Sequence, residues 1–241
     1  MSDTVNLEYQ NELAGKTSPE ILSWTLARFG VDNIVLATSL GAEDQVLADM
    51  LVQLAPQVTI FTLDTGRLPE ETYEVLAETN KKYDRHIAVA FPDAHDIEAM
   101  VNAKGPNLFY ESIENRKLCC RLRKIVPLKR MLAGKAAWLT GLRRAQSVTR
   151  DRLELIEWDQ NNGLFKINPL ADWSEEQVWK YIKTNNVPYN KLHDKGYPSI
   201  GCAPCTRAIA PGEDLRAGRW WWELPEHKEC GLHFNKEAEP K

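Results

Sequence analysis

The chain has 241 residues, 43% of them hydrophobic and 27% charged, a balance that suits one large soluble α/β domain. A formal net charge of −4 argues against a general nucleic-acid binder, and no apolar run has the roughly 20 residues that a membrane span requires. The opening Met1-Ser2-Asp3-Thr4-Val5 carries neither the basic nor the apolar stretch of a secretory leader, so a cytoplasmic protein with reduced thiols is expected.

Ser18-Pro19-Glu20 predicts a helix start, with Ser18 as cap, Pro in the first turn and an acid at the positive dipole end; Gly30 closes that helix after Phe29. Residues 33–37 read as a buried strand, 42–54 as a helix and 58–62 as a second strand. Pro69 opens a helix reaching Lys82, and 87–91 is a third strand. Helical stretches over 93–101 and 119–132 precede a fourth strand over 136–140. Strands alternating with helices of this length predict an α/β fold, a mostly parallel sheet with helices on both faces. Asp159-Gln160-Asn161-Asn162-Gly163 predicts a hairpin turn between 153–158 and 164–167, and Ser174-Glu175-Glu176-Gln177 is a capping box opening a helix through Ile182. The regular pattern is lost beyond Asn186. Residues 1–205 are therefore read as the ligand-binding domain, and 206–241 as an irregular, mobile tail without a fold of its own.

Three loops follow predicted strands: Ser39-Leu40-Gly41-Ala42-Glu43-Asp44, Leu63-Asp64-Thr65-Gly66-Arg67 and Thr140-Gly141-Leu142-Arg143. In an open parallel sheet ligands bind beyond the strand carboxyl ends, which makes Gly41, Ala42, Leu63, Gly66, Gly141 and Arg143 candidate contacts to a nucleotide. None of these loops is a P-loop or a dinucleotide fingerprint, and Glu43 with Asp44 would repel a phosphate, so the cations must come from elsewhere. They are available: Arg116 to Arg152 holds twelve Lys and Arg against a single acid, enough to attract a compact polyanion.

The five cysteines divide four and one. Cys119-Cys120 and Cys202-Ala203-Pro204-Cys205 supply four thiolates, the number that holds a zinc ion or an iron–sulfur cluster; the spacing does not separate the two. Cys230, in Glu229-Cys230-Gly231-Leu232-His233, is left as a nucleophile that needs neighbouring cations to ionise. Arg216 and Arg219 are spaced to share a helical face and grip one anion. Trp220-Trp221-Trp222 reads as a packed anchor for the tail.

Taken in order from about Val31 to His233, these motifs resemble the assimilatory sulfonucleotide reductases, specifically the iron–sulfur, thioredoxin-dependent adenylyl-sulfate reductases. The resemblance implies an adenine-nucleotide-alpha-hydrolase-like fold. It implies a [4Fe–4S] cluster on Cys119, Cys120, Cys202 and Cys205, with Cys230 as the catalytic thiol. Lys124, Arg216, Arg219 and His233 match positions expected to hold the phosphosulfate. The implied reaction reduces adenosine 5′-phosphosulfate to sulfite and AMP through a Cys230 thiosulfonate, resolved by thioredoxin or a glutaredoxin-like donor, in sulfate assimilation toward cysteine. One departure is Leu40, where many members carry Ser. The alternatives are a reductase of the 3′-phosphorylated nucleotide, whose members commonly lack the four cluster cysteines, or a dual-specificity enzyme. More remote is a non-catalytic, metal-bearing nucleotide-binding protein. Neither nucleic acid nor membrane is expected as a partner, and the oligomeric state, a homo-oligomer included, stays open.

Overall fold

A computed structural model describes residues 2–146, 150 and 152–224. The chain opens on α1 (Ser2–Leu13), a helix the sequence reading did not foresee. Its signal is the four-residue spacing of Val5, Tyr9 and Leu13, which places one narrow apolar stripe along the helix; Tyr9 and Leu13 are buried. In α2 (Ser18–Phe29) the cap is Thr17, not Ser18. The Thr17 N–H and hydroxyl both donate to the Glu20 carboxylate, at 2.7 and 2.6 Å, while the Ser18 hydroxyl turns inward to the Pro169 carbonyl at 2.7 Å.

The remaining elements alternate. They run β1 (Ile34–Thr38), α3 (Ala42–Leu54), β2 (Thr59–Leu63), α4 (Glu70–Tyr83), β3 (Ala88–Ala90), α5 (Ala94–Lys104), α6 (Ile113–Cys120), α7 (Val126–Leu132), β4 (Ala137–Leu139), β5 (Ile156–Asp159), β6 (Leu164–Ile167) and α8 (Glu175–Thr184). The six strands form one sheet in the order β3-β2-β1-β4-β6-β5. Leu36 of β1 faces Ile60 on one side and Leu139 on the other, both in parallel register, and β4 pairs parallel to β6; β5 and β6 form the expected antiparallel hairpin. The chain moves outward from β1 to β3 and then crosses to β4, so the order reverses between β1 and β4. That switch point is where an open α/β sheet leaves a crevice for ligand.

The helix expected over 119–132 is interrupted. α6 ends at Cys120, Arg121–Ile125 form a π turn, and α7 resumes at Val126. Pro127 supplies the reason: it has no N–H for the Arg123 carbonyl and its ring crowds that carbonyl, so the ladder widens before it.

By internal contacts the chain divides into two units. The first comprises Met1–Thr62, Glu74–Ala88 and Gly134–Asn190; the second comprises Leu63–Tyr73, Val89–Ala133 and the chain from Lys191 onward. The first has an aliphatic core including Leu22, Leu36, Leu47, Leu139 and Ile167, flanked by the rings of Tyr9, Trp24, Phe29 and Phe165. The second packs Met100, Leu108, Phe109 and Trp220 around four cysteines. No helix among the described residues is long and apolar enough to cross a membrane.

Candidate active site

At the switch point of the first unit, Leu40 ends the β1 loop with φ +60°, a left-handed conformation unusual for Leu, its side chain 1% exposed in the core. Asp44, in the first turn of α3, organises the loop. One carboxylate oxygen accepts from the Ser39 N–H and hydroxyl, both at 2.6 Å, and the other from the Gly141 N–H at 2.9 Å. Burial pushes the Asp44 carboxyl up to about 6, against the lowering effect of the Ser39 donors. Gly141 must be glycine: a Cβ there would lie 2.4 Å from Asp44 Oδ1 and 2.9 Å from its backbone nitrogen. Gly41, Ala42, Gly141 and Arg143 are thus brought together, with two differences from expectation. The N–H groups of Ser39, Gly41 and Gly141 are taken up inside the loop instead of pointing at a ligand phosphate. Arg143 is buried and bound to Glu43, with Nη2 at 2.7 Å, so its guanidinium shapes the loop.

In the second unit the loop after β2 reaches the C-x-x-C. The Thr65 hydroxyl lies 3.2 Å from Cys202 Sγ, and the Ala203 N–H donates to the Arg67 carbonyl at 2.8 Å. Asp64 accepts from the Gly66 N–H and the Tyr73 hydroxyl, and Gly66, at φ +69°, makes the turn that follows Leu63. Cys119 and Cys120 arrive from the end of α6, whose Ser112 cap is bound to the Asn115 N–H at 3.1 Å. All four cysteines are free and at most 8% exposed. They line a space of about 370 Å³, part of it continuous with solvent, together with Arg67, Arg116, Arg123 and Lys124. Lys124 and Arg123 belong to the π turn, which carries both cations to the side that holds Cys119 and Cys120.

The thiols feel this setting unequally. Burial raises Cys205 to about 12 and also raises Cys119, in each case reinforced by the charge of Cys202. Cys202 is equally opposed by burial, but Lys124, the Thr65 hydroxyl, Arg219 and Arg123 together outweigh it and hold this thiol below its ordinary value.

The segment after the C-x-x-C is not helical as expected for Arg216 and Arg219. Residues 206–219 double back, with Thr206 bridged to Arg219 in antiparallel fashion and the Arg207 N–H donating to the Gly218 carbonyl at 3.0 Å. A Cβ on Gly218 would meet the Arg207 carbonyl at 2.3 Å, so close backbone approach displaces the helix. Arg219 is 7% exposed, stacks 4.6 Å over Trp220 and donates to Ile200 O at 3.2 Å; its Nε has no hydrogen-bond partner among the described residues. Of the three tryptophans, Trp220 is 1% exposed and is the anchor, whereas Trp221 is 40% exposed. Cys230 and His233 lie outside the described residues. The sequence reading did not single out Thr65, Arg116 or Arg123; the π turn beside paired cysteines is the local signal for Arg123, and nothing local marks the others.

Similarities to known proteins agree with this arrangement. The phosphoadenosine phosphosulfate reductase domain matches residues 33–208. The adenosine 5′-phosphosulfate reductase of Allochromatium vinosum is 58% identical over 84% of this chain and 79% of its own length. The protein of the same name from Burkholderia cepacia is 50% identical over 92% and 89%, and that of Agrobacterium fabrum 46% over 96% and 88%. Among solved structures, the phosphoadenylyl-sulfate reductase of Candida auris, a phosphate complex, superposes with a TM-score of 0.74 at 29% identity, covering 87% of this chain and 98% of the other. An FMN adenylyltransferase from Candida glabrata, at 16% identity and a TM-score of 0.57 over 93% and 75%, shares the fold alone. The sheet order, the strand-end loops and the family match together place this chain among the phosphoadenosine phosphosulfate reductase domain proteins.

Proposed function

We infer that this chain reduces adenosine 5′-phosphosulfate to sulfite and AMP in sulfate assimilation toward cysteine, as an enzyme of the cytoplasm. The observation that carries this reading is the gathering of four free cysteines, from pairs 82 to 86 positions apart, around one cation-lined space in a chain whose relatives bear that enzyme's name. We assign a [4Fe–4S] cluster to that space. Among the described residues no group of three or more Cys, His, Asp or Glu is placed to hold a metal ion, so the assignment rests on the chemistry of the donors. The all-sulfur donor set, the apolar wall of Phe109 and Trp220, and the surrounding cations suit a cluster of thiolate-bound irons. Cys119, Cys120, Cys202 and Cys205 would hold the cluster, which would supply a fixed charge to this cation-lined pocket.

The chemistry needs only the chain's own thiol. Cys230 is the nucleophile because the other four sulfurs are buried in the metal site. Its thiolate attacks the sulfur of the mixed anhydride, the sulfur–oxygen bond to AMP breaks, and AMP leaves with the electron pair. Cys230 is left as a thiosulfonate. Lys124, Arg216, Arg219 and His233 offset the repulsion between thiolate and anion and stabilise charge building on the leaving phosphate. Gly41, Ala42, Leu63, Gly66 and Gly141 shape the nucleotide contacts. A dithiol protein, thioredoxin or a glutaredoxin-like donor, attacks the Cys230 sulfur and expels sulfite. Its second thiol then frees Cys230, so the donor ends as a disulfide and the substrate sulfur has gained two electrons.

The test is trapping. Incubated with adenosine 5′-phosphosulfate and no thiol, the protein should gain one sulfonate on Cys230, read by mass, and C230S should gain none while keeping its iron. No adduct, or one on another cysteine, refutes the reading. The Candida auris neighbour supports a second substrate reading, the 3′-phosphorylated nucleotide, and comparing sulfite release from the two nucleotides decides between them.

A further inference from the structure

Arg116 and Glu223 form an ion pair whose side chains are 1% and 3% exposed. It is bidentate: Nε donates to Oε1 at 2.9 Å and Nη2 to Oε2 at 2.7 Å. The same guanidinium lies 4.9 Å from the Trp220 ring. On the other strand of the contact, the Trp220 N–H donates to the Cys205 carbonyl at 3.2 Å and the Glu223 N–H to the Trp220 carbonyl at 2.8 Å. Residues 220–223 are therefore a closed turn pinned at both ends to the cysteine pocket. Immediately afterwards Leu224 is 63% exposed. The chemistry described above uses neither Arg116 nor Glu223, yet Cys230 follows Glu223 by seven residues, a span of about 24 Å at most.

We propose that the Arg116–Glu223 pair is a positioning device for the reduction, a buried clasp that fixes the root of the Cys230 segment to the wall of the cysteine pocket. This rests on Cys230 being the nucleophile. The bidentate pair holds the root of the segment against the pocket wall. Unseating it would strand a charge in the interior, so the root is held in one place. The next hold upstream is the Cys205–Trp220 backbone bond, and Arg116 also braces the Trp220 ring, so losing the pair loosens the whole turn.

The experiment uses full-length, iron-loaded protein. E223Q should keep its iron, while its melting temperature falls because Arg116 is left charged and without its carboxylate in the interior. Trypsin cleavage after the buried Arg219 should become at least tenfold faster, and single-turnover formation of the Cys230 adduct at least tenfold slower. R116M/E223L, which replaces the charges by apolar contact, should bring both rates back to within about threefold of wild type. An E223Q adduct rate equal to wild type overturns the proposal, as does a double variant as slow as E223Q, since the pair would then act through charge and not through anchoring. If E223Q fails to retain iron, E223D carries the same test. Its cleavage and adduct rates must move in opposite directions, and faster cleavage with an unchanged adduct rate overturns the clasp. Absence of adduct in wild type removes the reading of function, and this proposal with it; an adduct in wild type that E223Q matches removes only the clasp.

Discussion

Asp44 allows a test of the β1 loop that needs no substrate. Its carboxyl is buried under the loop it organises and is raised from 3.8 to about 6. Between those values the folded chain binds a proton that the unfolded chain does not, so this residue makes the protein more stable as the pH falls. A shift of that size corresponds to about 3 kcal/mol in the acid limit, well below the unfolded value of 3.8, and about 1 kcal/mol between pH 7 and pH 5. The carboxylates held low in the folded state, Glu20, Glu71 and Glu114, act in the opposite sense, losing their contribution as the pH drops through the usual carboxylate range. They leave the window from 5 to 6.5 to Asp44. D44N has no proton to exchange and, if its oxygen keeps the two Ser39 donors, turns an amide toward the Gly141 N–H. Urea denaturation of wild type and D44N at half-unit intervals from pH 5 to 7 should show the wild-type curve rising by about 1 kcal/mol toward pH 5 relative to the variant. Parallel curves would refute the idea that Asp44 is ionised under burial at neutral pH.

Other outcomes follow from single contacts. G141A must displace Asp44, so AMP affinity measured by calorimetry should fall at least tenfold, with a stability loss of about 1–3 kcal/mol. Serine at any one of Cys119, Cys120, Cys202 or Cys205 should lower the iron content of anaerobically purified protein, whereas C230S should leave iron content and visible absorbance unchanged. Asp49 of α3 is buried and accepts from Tyr83 of α4 at 2.6 Å and Tyr181 of α8 at 2.8 Å. Y83F and Y181F should each cost about 1–2 kcal/mol in urea, and the double variant should fall short of or exceed the sum, because both hydroxyls serve one carboxylate.

The parts of the fold that were legible in sequence are those whose signal is local. α2 keeps its expected bounds because the Thr17 cap and Gly30 mark its ends, whereas β1 and β2 slide by a residue because nothing punctuates them. α1 was missed since its stripe is only one residue wide in a polar helix. The four cysteines could be grouped by count and compartment, but not Thr65 or Arg116, which reach them only through the fold. Arg219 illustrates the limit. Its spacing from Arg216 suggested a shared helical face, and backbone pairing of Arg207 with Gly218 instead turns it inward toward Cys202. Arg143, a candidate nucleotide contact by its place after a strand, is held instead by Glu43 one hundred positions away.

The widened turn at Arg121–Ile125 has a practical consequence for anyone redesigning this region. One residue more than a regular helix requires is wound into it, and deleting that residue would tidy the winding while Pro127 still leaves one carbonyl without its N–H partner. The downstream helix would keep its direction, but the widened turn that carries Arg123 and Lys124 to the side of Cys119 and Cys120 would be gone. An improvement in local regularity would therefore cost the pocket its nearest ammonium group, and sequence gaps in this stretch should be read as losses of the site and not as harmless trims.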